Sequence, residues 1–234
     1  MDSHGTNVAT RALLACGVVA GPLFTAAYLI EGATRAGYST LRHPVSSLAL
    51  GEYGWTQTAN FLVAGVLVVA FAAGVWRAAP RPVGGPFWGP ALIGLWGAGL
   101  LGAGAFRADP VSGYPSGTPD LLEEYTTLGA LHDGVSIIGF LGMAAVCFVF
   151  TRRFARVRST GRAVLSATAG LLFLVLMELS NVAFSQNEAL VDHGGLLQRG
   201  AVTVVWVWMA WLALHLLRNA TASGHRKEHA TADS

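Results

Sequence analysis

The chain has 234 residues, of which 53% are hydrophobic and 12% charged, with a formal net charge of +2. An ordinary soluble domain carries about 25% charged residues, so these figures exclude a soluble globular fold and point to one membrane domain. The basic excess is too small and too local to indicate a nucleic-acid partner.

Six apolar runs follow one another at 12–30, 58–76, 87–106, 130–150, 163–184 and 196–217. Each is close to the roughly 20 residues with which an α-helix crosses a hydrocarbon core of about 30 Å. The expected fold is all-α, a six-helix transmembrane bundle over 12–217, preceded by a polar tail (1–11) and followed by a disordered polar tail (218–234). The first run exceeds the roughly 7–15 residues of a signal-peptide core, and no small-residue cleavage site follows it, so it reads as an uncleaved first helix. Cys16 and Cys147 lie inside apolar runs without CxxC spacing and read as small buried hydrophobes.

Basic residues are retained on the cytoplasmic side of short loops. Arg11, Arg77, Arg81, the cluster Arg152, Arg153, Arg156, Arg158 and Arg162, and Arg218, Arg226 and Lys227 fall on one side of the bundle. Arg35, Arg42 and Arg107 fall on the other. Both termini are therefore expected in the cytoplasm of a plasma-membrane protein, with the arginine cluster serving as a topology anchor. The outer side keeps the long first and third loops.

In the first loop, Pro44 suits the first turn of a short helix and Gly51 its C-terminal cap. With Tyr38, Tyr53 and Trp55 beside it, PVSSLAL is expected to lie as an interfacial helix on the membrane. In the third loop, ADPVSGYPSGTP reads as a turn region. Thr118 then suits an N-cap for a second short helix, TPDLLEEY, running into the fourth span. The third span carries Gly94, Ala98 and Gly102 on one face, a pattern that allows close helix contact.

Ionisable groups within spans are costly and mark candidate sites. The runs hold Asp133, Glu178 and Arg199, all near the outer end. At 1.5 Å per residue Glu178 lies about 9 Å and Arg199 about 5 Å inside that end, close enough in depth to pair. Glu178, Asn181 and Ser185 share one face of the fifth span. Gln57 and Asn60 open the second span, His132 and Asp133 the fourth, and Gln198 precedes Arg199. Tyr38, Arg42, His43 and Ser46 in the first loop, and Arg107, Asp109 and Tyr114 in the third, feed the same layer.

The motifs LRHPVSSLALGEYGWTQTANF, FRADPVSGYP, LHDG and LLQRGAV, in that order and separated by apolar spans, resemble the prokaryotic integral-membrane family catalogued as domain of unknown function 998. The resemblance covers nearly the whole chain. It implies a six-helix membrane protein whose recurring polar residues are Arg42, His43, Ser46, Gln57, Asn60, Asp109, His132, Asp133, Gln198 and Arg199, without implying an activity. The Glu178 and Asn181 stripe lies outside that pattern.

The leading functional reading is a polar pocket, open to the extracytoplasmic side, that binds or moves a lipid or small amphiphile, with Trp206, Trp208 and Trp211 as candidate apolar walls. A membrane-embedded metal-dependent hydrolase acting on a lipid-like substrate is an alternative. Zinc would then be held by His43, His132 and His193, with Asp109 or Asp133 as ligand or base. In a metal-free variant, His43 or His132 would act as base, Ser46 as nucleophile, and Arg42, Arg107 or Arg199 as anion holder. A structural or assembly subunit without ligand is the remaining reading. The sequence assigns no catalytic residue and leaves the oligomeric state open.

Overall fold

A computed structural model describes residues 3–78 and 87–232. The described chain is helical throughout: α1 Ser3–Thr34, α2 Gly54–Ala78, α3 Trp88–Ala105, α4 Thr127–Arg156, α5 Thr160–Phe184 and α6 Gly194–Ala232. Each apolar run has become one helix. Beyond the runs, α1 starts at Ser3 and α6 continues through the polar residues after Leu217 to Ala232. Arg81, counted among the cytoplasmic basic residues, lies outside the described residues.

Five of the helices are long and apolar enough to cross a membrane. The remaining helix, α3, is the shortest, with 18 residues. At 1.5 Å per residue it still measures about 27 Å.

Each helix packs on its neighbours in the chain, and α6 returns to α1, so the six form a closed ring in chain order. The tight link between α4 and α5 forces those two to be antiparallel neighbours, and the long first and third connections fold back onto the end of the ring they join. Phe71, Ile93, Met143, Met209 and Leu212 are wholly buried inside, whereas Val66, Ile138, Leu171 and Val207 face outward, as a lipid-facing surface requires.

Glycines set the spacing around α3. A Cβ on Gly97 would lie 3.0 Å from the Val69 nitrogen and 3.1 Å from the Gly65 oxygen of α2. One on Gly99 would lie 2.9 Å from the Gly139 Cα and 3.1 Å from the Val135 oxygen of α4. Positions two apart point about 200° apart around a helix, so α3 meets backbone on both flanks. Of the expected Gly94, Ala98 and Gly102 face only Gly102 makes a close contact, a Cβ there standing 2.7 Å from Val135 Cγ2 of α4; Ala98 is exposed, and a Cβ on Gly94 would meet only Ala72, at 3.8 Å. A four-residue stripe serves one partner, and α3 has two.

The first connection does not lie flat on a surface. Its helix is a 3-10 turn, Val45–Ala49, with Pro44 at the N-cap and Gly51 just beyond its end at φ +77°. Val45, Ser47 and Leu48 are buried, and the turn packs against α1, α2 and α6. It plugs one end of the ring, the end that also carries the third and fifth connections.

The third connection contains no helix at TPDLLEEY. Thr118 Oγ1 donates to the Pro115 carbonyl (2.7 Å) and closes a turn instead. Before it, Ser112 (φ +57°) and Gly113 (φ +77°) form a tight reversal between Val111 and Tyr114. The N-cap of α4 is Thr126, whose hydroxyl accepts from the Gly129 N–H (3.0 Å). Asp109 fixes that cap by accepting from both the Thr126 N–H (2.8 Å) and its hydroxyl (2.7 Å). A threonine held at both ends outcompetes Thr118, which the turn has already engaged.

Candidate functional site

The polar residues of the plugged end divide into two groups, one that fastens the plug and one that lines a cavity. Arg199 of α6 centres the first. It is 7% exposed. Its Nη1 donates to the carbonyls of Thr40 (2.7 Å), His43 (3.0 Å) and Gly195 (3.0 Å), and its Nη2 donates to the Tyr38 hydroxyl. The guanidinium also lies over the rings of Tyr28 and Tyr38, 5.5 and 5.6 Å from their centroids. Carbonyl dipoles and ring faces thus neutralise this charge. The expected Glu178–Arg199 pair does not form among the described residues, because Arg199 turns into the plug and Glu178 into the cavity.

Arg42 joins the three connections of this end. Its Nε donates to the Ser112 carbonyl (3.2 Å), its Nη2 to Asp120 (2.9 Å) and its Nη1 to Asp192 (3.0 Å). Gln198 accepts from the Val45 N–H (2.8 Å). The Tyr38 hydroxyl donates to the Pro44 carbonyl (2.9 Å), and burial pushes its phenol up to about 12. On α2, Asn60 donates to the Phe24 carbonyl (3.1 Å) and to Gln57 (3.1 Å), tying α2 to α1.

His43 belongs to the same fastening. Its Nδ1 accepts from the Ser39 N–H (2.9 Å), so the proton sits on Nε2, which donates to the Ser112 carbonyl (3.2 Å). Burial, with Arg42 and Arg199 nearby, lowers its pKa below 6.5. A depressed histidine contributes stability that is complete above the unfolded pKa and lost as pH falls through the folded one. Stability is therefore expected to drop between about pH 7 and pH 5, and more steeply in the native protein than in His43→Gln, which keeps a donor but does not titrate. Parallel melting curves for the two proteins over that range would refute this.

The second group, Ser46, Asp109, His132, Asp133 and Glu178, lines a cavity of about 670 Å³ inside the ring. Gln198 touches both groups. The cavity floor is aromatic: Trp96 of α3 and Trp206 of α6 meet across the ring with centroids 4.4 Å apart, and Phe24, Phe61 and Phe173 extend the surface. Of the three tryptophans singled out in the sixth span, Trp206 alone reaches the cavity. Trp208 donates to Ser166 (3.1 Å), and Trp211 stacks on His215.

The cavity opens sideways. Asp133, Ile137 and Leu141 of α4 and Glu178 and Asn181 of α5 all line it and are exposed. Deeper in the ring Phe140 packs on Phe173, 5.9 Å between centroids, and a Cβ on Gly170 would sit 2.9 Å from that of Cys147. The two helices are thus closed below and parted above. Leu121, Leu122 and Tyr125 of the third connection complete the lining. The sequence reading missed these three residues and, Trp206 apart, the aromatic floor, because an apolar side chain gives no sign of facing a void.

His132 is 4% exposed and borders the cavity. Its Nδ1 donates to the Phe106 carbonyl (2.9 Å), which leaves Nε2 as a lone-pair acceptor without a partner among the described residues. His43, His132 and His193 do not come together as a set of metal ligands. Among the described residues no three His, Cys, Asp or Glu side chains are grouped to hold an ion. His43 is not free to act as a base on Ser46, since both its nitrogens are engaged by backbone atoms. Arg42 and Arg199 fasten the plug, and among the described residues no arginine or lysine lines the cavity.

No curated protein and no solved structure matches the chain. The family model described as protein of unknown function (DUF998) matches residues 18–215. A match of that extent, from within α1 to within α6, makes the chain a member of that family, and its apolar helices make it a multi-pass membrane protein.

Proposed function

We propose that this protein binds or moves a lipid or small amphiphile, taken into the cavity through the opening between α4 and α5. The observation that carries the reading is the two-part lining, an aromatic floor under a polar mouth, matched to a molecule with one apolar and one polar end. The position of the mouth supports it. Asp133 and Glu178 each lie six residues, about 9 Å, from the plugged ends of their helices, and both are exposed there. A carboxylate presented to hydrocarbon costs about 3 kcal/mol, so this opening suits a polar headgroup entering from the membrane.

The distribution of basic residues supports placing the plugged end on the extracytoplasmic face of the plasma membrane, with both termini in the cytoplasm. In a background without Cys16 and Cys147, a cysteine at Ser116 is expected to react with an impermeant reagent on intact cells, and one at Ser159 to stay unlabelled. The reverse pattern would overturn this orientation.

Native mass spectrometry of the protein extracted into a mild detergent tests the binding reading. A retained adduct of lipid mass is expected, and it should be lost when the opening is filled by Ile137→Trp. An adduct-free spectrum from several extractions would favour a ring whose polar residues serve only its own assembly.

A further inference from the structure

Resting on that reading, we infer that the preferred occupant is a protonated amine, an alkylammonium whose N–H groups are taken up at the mouth by Asp133, Glu178 and the free nitrogen of His132 while its chain lies on the aromatic floor.

Two independent features carry the inference. The first is charge. The cavity wall carries three acidic side chains, Asp109, Asp133 and Glu178, and among the described residues no lysine or arginine, since Arg42 and Arg199 point elsewhere. Asp109 already accepts two hydrogen bonds from Thr126. Asp133 and Glu178 make no hydrogen bond or salt bridge among the described residues.

The second is His132. A nearly fully buried imidazole with one nitrogen fixed to a carbonyl leaves its other nitrogen as an acceptor on the cavity side. That nitrogen is open to the cavity, so an occupant that displaces water from it must bring a donor in return. A carboxylate or phosphate headgroup would bring acceptors to acceptors. A metal ion would need its ligands grouped, and they are not grouped among the described residues. A protonated amine supplies both the positive charge and the N–H donors, and aromatic faces accommodate a cation in transit.

The test compares four probes with the same ten-carbon chain, decylamine, decyltrimethylammonium, decanol and decyl sulfate, together with propylamine as a headgroup without a long chain. Each is titrated into the full-length protein in neutral maltoside micelles near pH 7, where an alkylamine with a pKa of about 10 is protonated. Tryptophan fluorescence is the readout, because Trp96 and Trp206 floor the cavity.

Decylamine is expected to bind about tenfold more tightly than decyltrimethylammonium, which has charge but no N–H donor, and decyl sulfate should not bind. The Asp133→Asn/Glu178→Gln variant should lose at least tenfold in decylamine affinity, about 1.4 kcal/mol, while melting with the native protein. Propylamine binding as tightly as decylamine would support the same chemistry and assign it to a free amine rather than a lipid. Equal binding of decanol and decylamine, unaffected by the double substitution, would overturn the amine preference and leave amphiphile binding standing. Failure of every probe to bind would overturn both.

Discussion

Replacing Arg199 by glutamine is expected to lower folding stability by about 3 kcal/mol, enough to melt the plugged end well below the native transition. The guanidinium satisfies three carbonyls on two segments, the first connection and α6, and a phenol as well. A glutamine amide is shorter and has two donor hydrogens, so at least two of these four buried contacts would be lost. Lysine at this position should recover part of the loss, since it keeps the charge but offers a single nitrogen where Arg199 uses both terminal ones. Glu178→Gln should melt with the native protein, because Glu178 has no partner to lose among the described residues. Thermal unfolding in maltoside, followed by helical circular dichroism, measures all three. An Arg199→Gln protein as stable as Glu178→Gln would show that the network does not hold the plug.

The contrast between those two residues also shows what could be read from the sequence. Apolar run length placed all six helices, because about 20 consecutive apolar residues have few alternatives to a span. Depth along each helix placed Asp133, Glu178 and Arg199 in one layer for the same reason. Partner choice was not legible. Arg199 and Glu178 have opposite charge at similar depth, and their separation follows from the first connection folding into the ring, which offers carbonyls that no side-chain pattern announces. His43 and His132 look alike as candidate ligands, yet backbone atoms hold both nitrogens of the first and one of the second. The start of α4 was misplaced because Thr118 and Thr126 are both reasonable caps, and a contact from the distant Asp109 decides between them.

Gly99→Val is expected to cost about 3 kcal/mol or to prevent assembly of the ring, the upper end of the range for overpacking. Even the first carbon of the new side chain would stand 2.9 Å from the Gly139 Cα and 3.1 Å from the Val135 oxygen. Both neighbours are backbone of α4, so no rotamer change relieves the clash and the helices must separate. Gly99→Ala should already destabilise, and since Gly99 and Gly139 border the cavity, the separation would also alter its walls. Gly134 on α4 provides the comparison: a Cβ there meets nothing within 4 Å. Gly134→Ala should therefore be neutral, or stabilising by up to about 1 kcal/mol from helix propensity. The pair separates backbone contact from glycine content, because both substitutions remove one glycine from a helix of the same ring. Matching stability changes for Gly99→Ala and Gly134→Ala would mean that α3 and α4 can part without loss, and the closed ring around the cavity would then be the wrong picture of what holds its walls in place.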